Sequence, residues 1–242
     1  MSVLRCGTWQ LTLRPAMLLL ALAGAAAMVS LGNWQTRRAD EKLALQQRID
    51  ALARGPVLSL SAGRVSAADY VNSRVAVRGE FAPRHTVLVD NRVLRGVPGY
   101  HVVTPLRIRG SDMYVLVDRG WITAGPTRDR LPEIRTPAGE VVVEGLAVVP
   151  PDRVYELAEE SGSGPRVQHL VLARMAKRTG LELQPIVIQQ TSDAPDGLMR
   201  AWERPDSGAN THRAYALQWY AMGVVVIAIY VGLNLKRGND HA

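Results

Sequence analysis

Two long apolar runs, one near each end of the chain, dominate its hydropathy pattern. The first, Ala16–Gly32, and the second, Ala214–Leu235, contain no charged residue. A helix needs about 20 apolar residues to cross the hydrocarbon core of a membrane, with a lower limit of about 17. The first run only just meets this requirement, and the second exceeds it. The pattern therefore predicts a transmembrane helix at residues 15–33 and another at residues 214–235.

The first run also has features of a cleaved signal peptide. A basic leader precedes it, and small residues at positions 25–27 resemble a signal-peptidase site. However, the apolar pattern continues through residues 28–31, which is long for a signal peptide. Both interpretations stay open on the sequence, and the length favours a helix that is retained.

The charges that flank the two runs predict the orientation of the chain. The leader, residues 1–14, and the tail, residues 236–242, each carry two basic residues. Because the positive-inside rule counts basic residues in short segments, both ends are expected in the cytoplasm. Basic residues just after the first run argue weakly against this orientation. Residues 34–213 would then form a periplasmic domain of a multi-pass protein in a bacterial inner membrane.

The segment after the first run has a helical pattern. Good helix formers continue from Trp34 to Arg54, so the helix is expected to leave the membrane and to end at Gly55-Pro56. Trp34 would lie at the level of the lipid head groups. Further on, helical spacing over Val167–Arg178 predicts one more helix, which Gly180 would cap.

The middle of the chain has the pattern of a β-rich domain. Gly96 with Pro98-Gly99 is one of several turn signals between the predicted strands, and the polar segment Pro195–His212 is expected to return the chain to the membrane. The predicted fold class is membrane α+β, in which two transmembrane helices flank one β-rich extracytoplasmic domain with a packed helix. That domain is expected to be a small antiparallel sheet or a partly closed barrel. The predicted strands are Val75–Phe81, Thr86–Arg92, Tyr100–Arg109, Met113–Ile122, Glu140–Val149 and Ile186–Gln190.

Composition narrows the partners that the domain can have. The formal net charge is +7 and the isoelectric point is about 10.0, values that often indicate nucleic-acid binding. Here the basic residues are scattered among strands, and an outward-facing domain meets no nucleic acid. Contact with anionic lipid head groups or an acidic partner explains the charge better. Cys6, the only cysteine, excludes an internal disulfide.

Motifs for enzymatic chemistry are absent from the sequence. The five histidines form no HxH or HExxH pattern, and there is no CxxCH, GxSxG, P-loop or GxGxxG after a strand. Glu80, Asp90 or Asp118 beside His85 or His101 would suit acid–base catalysis. Exposed polar residues that alternate along strands explain the same pattern more simply. No enzymatic activity and no catalytic residue are therefore predicted.

His212 differs from the other histidines because it lies at the outer end of the second apolar run. Tyr215 and Trp219 follow it at helical spacing, so the three share one helix face. A histidine beside aromatic residues at a membrane surface suits axial ligation of non-covalent haem. On spacing alone, an aromatic belt with a polar interfacial residue is the favoured explanation.

Four segments of the chain form a recognisable series: Leu31–Gln35 with Arg37, Gly99–Leu106, Val117–Ile122 and His212–Tyr220. In this order they resemble the Surfeit-locus (Surf-one/Shy-one) family of cytochrome c oxidase assembly factors, and the resemblance covers essentially the whole chain. Pro195–Leu198, continuing to Trp202, resembles the bacterial branch of that family. Their motif residues are Trp34, Gln35, Arg37, Gly99, Tyr100, Pro105, Arg119, Gly120 and Trp121.

The resemblance implies a non-enzymatic role in building haem–copper oxidases, by assisting haem a insertion or by stabilising the catalytic subunit. It implies that His212 is a ligand of haem iron, the only metal contact expected. Arg213 would meet a haem propionate, and Tyr215 and Trp219 would help to bind the ring. The expected cofactor is non-covalent haem a. The expected partners are the oxidase catalytic subunit, haem a synthase and membrane lipid, and not nucleic acid.

Small residues are expected at the close contacts of the fold. Ala21, Ala25 and Gly223 are expected to allow close approach of the two spans, and Gly120 to need a positive φ or a close backbone contact. One alternative is a membrane-anchored adaptor or scaffold for another envelope complex. The other is a tethered hydrolase that uses a strand carboxylate such as Asp118.

Overall fold

The computed structural model describes residues 2–6, 9–125, 131–151, 164–202 and 206–237. Parts of the predicted leader, return segment and tail (residues 1, 7–8, 203–205 and 238–242) lie outside the described residues. The chain divides into two compact units, Met1–Arg48 with Pro205–Ala242, and Ile49–Arg204.

Four helices and eleven strands make up the described part of the chain. The helices are α1 Pro15–Ala53, α2 Ala67–Tyr70, α3 Leu172–Thr179 and α4 Ala209–Asn234. The strands are β1 Ser2–Cys6, β2 Trp9–Leu13, β3 Leu58–Ser59, β4 Arg74–Phe81, β5 Val87–Leu94, β6 Val97–Ile108, β7 Tyr114–Thr123, β8 Glu140–Val148, β9 Arg166–Val167, β10 Leu183–Gln190 and β11 Leu235–Arg237.

Helices α1 and α4 are both long and apolar enough to cross a membrane. α1 runs unbroken for 39 residues, which confirms the prediction that the first apolar helix continues to Gly55-Pro56. α4 begins at Ala209, five residues before the predicted span. Hydropathy could not predict this first turn, because its residues are polar although they are helical.

The two long helices pack through a seam of small residues. Buried positions recur every seven residues along α4, at Ala209, Ala216, Gly223 and Tyr230, the spacing of a coiled-coil seam. A Cβ atom added to Gly223 would lie 3.5 Å from Met28 Cβ and 3.7 Å from the Ala25 carbonyl oxygen. Close approach at Gly223 is therefore confirmed.

The leader and the tail of the chain pair with each other in a small sheet. Strands β1, β2 and β11 form it in that order, and both pairings are antiparallel. Leu235 of the tail lies opposite Leu11 of the leader. The two ends of the chain therefore meet at one end of the helix pair, a contact that the sequence did not predict.

The second unit is built around a closed five-stranded barrel. Hydrogen bonding runs in the order β4, β8, β10, β7 and β6, and a pairing of β4 with β6 closes the ring. Strands β3, β5 and β9 extend the sheet. The predicted barrel is confirmed, but the prediction of an antiparallel sheet is wrong for the pairing of β10 with β7, which is parallel. The long connection that contains α3 allows this crossover.

Side chains on the two faces of the barrel strands form two cores. Alternating apolar residues such as Val115, Val117, Ile186 and Ile188 fill the interior. On the outer face, Leu116, Val187 and their neighbours pack against Met175 of α3. The α+β architecture with one packed helix is confirmed.

Two local predictions in the second unit are wrong. The turn between β5 and β6 is formed by Arg95 and Gly96, both with positive φ, so Pro98-Gly99 belongs to a strand and not to a turn. α3 begins at Leu172 and not at Val167, because residues 166–167 pair with β5 as strand β9. Gly180 caps α3 in the left-handed conformation, as predicted.

Candidate functional site

His212 lies in the first turn of α4 and is bound to α1. Its Nδ1 atom lies 2.7 Å from Oε1 of Gln35, so an Nδ1–H donates to the amide oxygen. A histidine whose Nδ1 carries the proton has a lone pair on Nε2. The histidine and the glutamine of the sequence motifs, 177 residues apart, therefore form one pair.

A second polar group joins the helices next to this pair. The Tyr220 hydroxyl donates to Oδ1 of Asn33 at 2.8 Å and lies 3.3 Å from the Thr36 hydroxyl. The Tyr220 ring covers Gly32, where an added Cβ would lie only 2.4 Å from the ring. Any larger residue at position 32 would displace the ring, so this glycine sets the spacing of the helices.

The other predicted binding residues follow His212 in α4 and make no hydrogen bond to it among the described residues. Tyr215 is 50% exposed, Arg213 is exposed and Trp219 is half-buried. On α1, Trp34 is 47% exposed. A half-buried histidine with accessible aromatic residues and an exposed arginine nearby in the chain has the chemistry to hold a flat apolar ligand with acidic groups.

The motif residues of the barrel form a different cluster, centred on Arg119. A β-bulge places Arg119 as an extra residue of β7, because Val102 faces Gly120 while Val103 faces Asp118. Its guanidinium is fully buried and lies 5.0 Å from the centre of the Phe81 ring.

The buried charge of Arg119 is balanced by Asp196. Nη2 of Arg119 donates to Asp196 Oδ2 at 3.1 Å, and Nη2 of Arg200 donates to the same oxygen at 2.7 Å. Arg119 also donates hydrogen bonds to the Thr136 hydroxyl and to the Arg135 carbonyl. Burial lowers the pKa of Arg119, and Asp196 opposes that shift. An arginine still stays charged at any physiological pH.

Glycines allow the motif residues to approach one another closely. Gly120 has a φ of 140°, and a Cβ there would lie 2.8 Å from the Met199 carbonyl oxygen, which confirms the prediction for this residue. The Trp121 indole donates to the Arg92 carbonyl. A Cβ on Gly99 would lie 2.4 Å from the Trp121 ring. These residues serve close packing within the barrel unit.

Two further motif residues are also structural within the barrel unit. Tyr100 is 2% exposed and packs in the cluster that contains Leu88 and Leu198. The Pro105 carbonyl accepts a hydrogen bond from Ala82 at 2.8 Å. Segment 195–202, predicted as part of a polar return to the membrane, is bonded to the barrel instead, because Met199 bridges to Trp121.

His101 and Asp118 form a pair on the outer face of the barrel. His101 Nδ1 lies 2.8 Å from Asp118 Oδ2, and Trp202 contacts the imidazole edge-on at 5.4 Å between ring centres. The pair lines a cavity of about 200 Å³, which also borders His169 and Gln189. We call it the Asp118 cavity. The interpretation of Asp118 as an exposed strand residue is wrong, because only 7% of the residue is exposed.

Burial changes the pKa of the Asp118 carboxyl group. Its desolvation raises the pKa of the carboxyl group above the ordinary value of 3.8, an effect that His101, a backbone hydrogen bond from Gly120 and the more distant Arg92 only partly offset. Oδ1 has no hydrogen-bond partner within the described residues. An unpartnered buried acceptor costs about 1–3 kcal/mol.

The described residues contain no cluster of metal-ligating side chains. Within the described ranges, no three His, Cys, Asp or Glu side chains lie close enough together to bind an ion. A metal held by side chains alone therefore has no candidate site in those ranges. A metal inside an organic cofactor needs only axial ligands, which a single histidine can supply.

Comparisons with known proteins match most of the chain to one family. A family model described as the SURF1 family matches residues 22–224. A "SURF1-like protein" of Monosiga brevicollis is 25% identical over 86% of this chain and 84% of its own length. "Surfeit locus protein 1" of Mus musculus is 28% identical over 81% of this chain and 69% of its own. A "SURF1-like protein" of Rickettsia conorii is 26% identical, covering 84% and 85%.

Proposed function

Because this chain belongs to the SURF1 family, we propose that it is an assembly factor for a haem–copper cytochrome c oxidase. It would assist the insertion of haem a or stabilise the catalytic subunit while haem is inserted. The observation that supports this role is the bond between His212 and Gln35. That bond leaves a lone pair on Nε2 of His212, in a helix turn followed by the exposed Tyr215 and the half-buried Trp219.

The membrane is the proposed location of the helix pair. α1 contains 22 consecutive residues without charge, 15–36, between Arg14 and Arg37, and α4 contains 21, 214–234, between Arg213 and the segment that begins with Leu235-Lys236. Such a segment is about 33 Å long, close to the roughly 30 Å of a hydrocarbon core. The packing of α1 against Gly223 supports retention of α1 over cleavage as a signal peptide.

We propose that the barrel unit faces the periplasm of a bacterial inner membrane. The two chain ends pair in one sheet through β2 and β11, so they belong on the same side of the membrane. That sheet adjoins Arg14 and Lys236, and basic residues in short segments favour the cytoplasmic side. His212 would then lie at the outer surface of the membrane, where the Trp34 and Trp219 rings suit the head-group level.

His212 would hold haem a through Nε2, while Gln35 holds Nδ1–H and so fixes the orientation of the ring. His212 would thereby hold the haem iron, and the bound haem would supply an iron centre for transfer to the oxidase. Arg213, whose side chain is exposed, would pair with a propionate. Tyr215 and Trp219 would cover the apolar ring edge. None of these residues performs a chemical step, and the proposed role is therefore non-catalytic.

The partners follow from this role. The helix pair would contact the catalytic subunit of the oxidase, which receives haem a, and haem a synthase, which supplies it. Exposed apolar side chains along both helices, among them Leu20, Leu217 and Val224, would face lipid or the spans of these partners.

The test is the haem content of membranes from a strain that lacks this protein. The a-type absorbance should fall, wild-type protein should restore it, and His212→Ala should restore it less well. His85→Ala, which alters a half-buried histidine of the barrel unit, is the matched control. Normal a-type absorbance in the deletion strain would contradict the role and would favour an adaptor for another envelope complex.

The ligand assignment has its own test. Protein purified after co-production with haem a should lose its haem spectrum with His212→Ala and keep it with His85→Ala. An unchanged spectrum in the His212 variant would show that another residue binds the iron.

A further inference from the structure

The cross-helix bond between His212 and Gln35 lies on one flank of the helix pair. Successive residues of an α-helix are about 100° apart around its axis. Measured from the seam residue Gly32, Gln35 therefore lies about 60° to one side of α1, and Thr36 lies about 40° to the other. The Tyr220 hydroxyl contacts Thr36, so the two polar groups occupy opposite flanks. We call the side of Gln35 and His212 the His212 flank.

Apolar and aromatic side chains line the part of the His212 flank that is nearer the middle of α4. Tyr215, Trp219 and Met222 lie within about 80° of His212 around the helix, on the side away from Tyr220. Tyr215 is 50% exposed and Met222 is 42% exposed. This part of the flank can therefore cover a flat apolar ligand.

Cations occupy the outward end of the same flank. Arg38 and Lys42 follow Gln35 by three and seven residues, so both lie within about 60° of it around α1. They are roughly 4.5 and 10.5 Å further along the helix axis. A Cβ atom on Gly208, the residue before α4, would lie 3.3 Å from Nζ of Lys42. This part of α1 therefore stays beside the start of α4, next to the turn that contains His212.

The order of groups along the flank, from apolar surface through histidine to cation, matches the shape of haem. Haem is an apolar plate with two propionates at one edge, and an arginine binds a carboxylate through charge-assisted hydrogen bonds. We propose that Arg38 binds one propionate of the haem that His212 holds. This inference rests on the proposed function. Arg213 of α4 would receive the other propionate, so each helix would contribute one arginine.

Glu41 competes with a propionate for Arg38. Nη1 of Arg38 donates to Oε2 of Glu41 at 2.9 Å, and both side chains are more than half exposed. Because an exposed ion pair contributes little to stability, a propionate can replace Glu41. Removal of the Glu41 charge should therefore strengthen haem binding, whereas removal of the Arg38 charge should weaken it. If the pair only stabilised the helix, both changes would act in the same direction.

The experiment measures the affinity for ferric haem a by absorbance titration of the full-length protein in nanodiscs of zwitterionic lipid. Arg38→Gln should weaken binding about threefold to tenfold, and Arg38→Lys, which keeps the charge, should lose less. Glu41→Gln should strengthen binding up to about threefold. Arg37→Gln is the matched control and should bind like the wild type. Arg37 lies about 140° around α1 from Gly32, so it faces away from α4.

The dimethyl ester of haem a is a ligand without the propionate charges. Wild type and Arg38→Gln should bind the ester equally well, because the ester leaves Arg38 without a carboxylate to bind. Equal binding of haem a by Arg38→Gln and Arg37→Gln would overturn the proposal. A loss in Arg38→Gln that persists with the ester, or weaker binding of haem a by Glu41→Gln, would overturn it too.

His212→Ala separates this inference from the proposed function. If His212→Ala removes haem binding while Arg38→Gln matches the Arg37→Gln control, only the assignment of Arg38 is wrong. If the wild type binds no haem a, or if His212→Ala binds it as tightly as the wild type, the haem role of His212 is wrong and the assignment of Arg38 is wrong with it.

Discussion

The Arg119 guanidinium and the Asp196 carboxylate meet at 3.1 Å in the interior of the protein, although 77 residues separate them in the chain. Neither side chain is more than 1% exposed. This ion pair connects two of the motifs that indicated the family, the one around Arg119-Gly120-Trp121 and the one around Pro195–Leu198. The two motifs therefore share a structural purpose, which is to fasten segment 195–202 to strand β7.

Asp196→Ala should destabilise the barrel unit strongly, because it leaves the buried Arg119 without its counter-charge. Loss of one partner of a buried ion pair costs about 3–5 kcal/mol. The free energy of unfolding, measured by urea titration in detergent, should fall by that amount. Asp112→Ala is the matched control, since Asp112 also pairs with an arginine but is 92% exposed, and it should cost less than about 1 kcal/mol. If both variants lose similar amounts of unfolding free energy, burial does not determine the cost of removing the aspartate.

Gly120→Ala should be more damaging than alanine at another glycine with positive φ. At position 120 the new methyl group meets both an unfavourable φ of 140° and the Met199 carbonyl at 2.8 Å. The expected loss of unfolding free energy is at least about 2 kcal/mol. Gly110→Ala adds a methyl group at φ 74° with no atom within 4 Å, and it should cost about 1 kcal/mol. Equal losses would mean that the contact with Met199 contributes nothing.

Much of the fold could be predicted because its signals are local. Uncharged apolar runs indicate long helices, and β-branched stretches indicate strands wherever the chain lies in space. The register that closes the barrel is not local. The pairing of Phe81 with Leu106, or the parallel pairing of β10 with β7, depends on contacts between distant segments. The sequence pattern of a strand contains no information about its partner.

The candidate sites show the same limit. His212 differs from the other histidines in sequence because it stands at the end of an apolar run, but its bond to Gln35 spans 177 residues and leaves no local signal. Asp118 resembled an exposed residue because a polar side chain on a strand usually faces solvent. Here the outer face is covered near Pro150 and Leu170, which border the same cavity. Spacing along one strand cannot reveal a cover that another segment provides.

A disulfide cross-link should report the packing of the two long helices. A Cβ on Gly223 would lie 3.5 Å from Met28 Cβ, within the range for a disulfide of about 3.5–4.5 Å. Met28→Cys with Gly223→Cys, in a Cys6→Ser background, should therefore oxidise readily in membranes. Gly32→Leu should reduce this cross-link because the leucine would collide with the Tyr220 ring. Gly232→Leu, where no atom lies within 4 Å, should leave it unchanged. If Gly32→Leu leaves the yield of the disulfide unchanged, the packing of Gly32 against Tyr220 is wrong.

The stability of the barrel unit should depend on pH through Asp118. Burial raises the pKa of this carboxyl in the folded protein above the ordinary 3.8, so the folded state binds the proton more tightly than the unfolded state. Stability from this group is therefore greatest below 3.8 and is lost as the pH rises through the raised value. Asp118→Asn removes the dependence. The variant should gain stability relative to wild type between pH 4 and neutrality, approximately, in parallel thermal unfolding series. A constant difference across that range would contradict burial of the ionised carboxylate.

Gln35 should affect the affinity and the reduction potential of any haem that His212 binds, because its amide oxygen accepts a hydrogen bond from Nδ1–H of His212 at 2.7 Å. Loss of such an outer partner typically weakens metal binding about 10–100-fold. Gln35→Leu should lower haem a affinity in this range, measured by titration of the purified protein in detergent. Gln35→Glu keeps an acceptor and adds a charge, so it should retain binding and lower the reduction potential of the haem. Gln218→Leu, at an exposed glutamine of α4, should change neither property. If the leucine variant binds haem a normally while the His212→Ala variant does not, His212 is the ligand but Gln35 does not orient it.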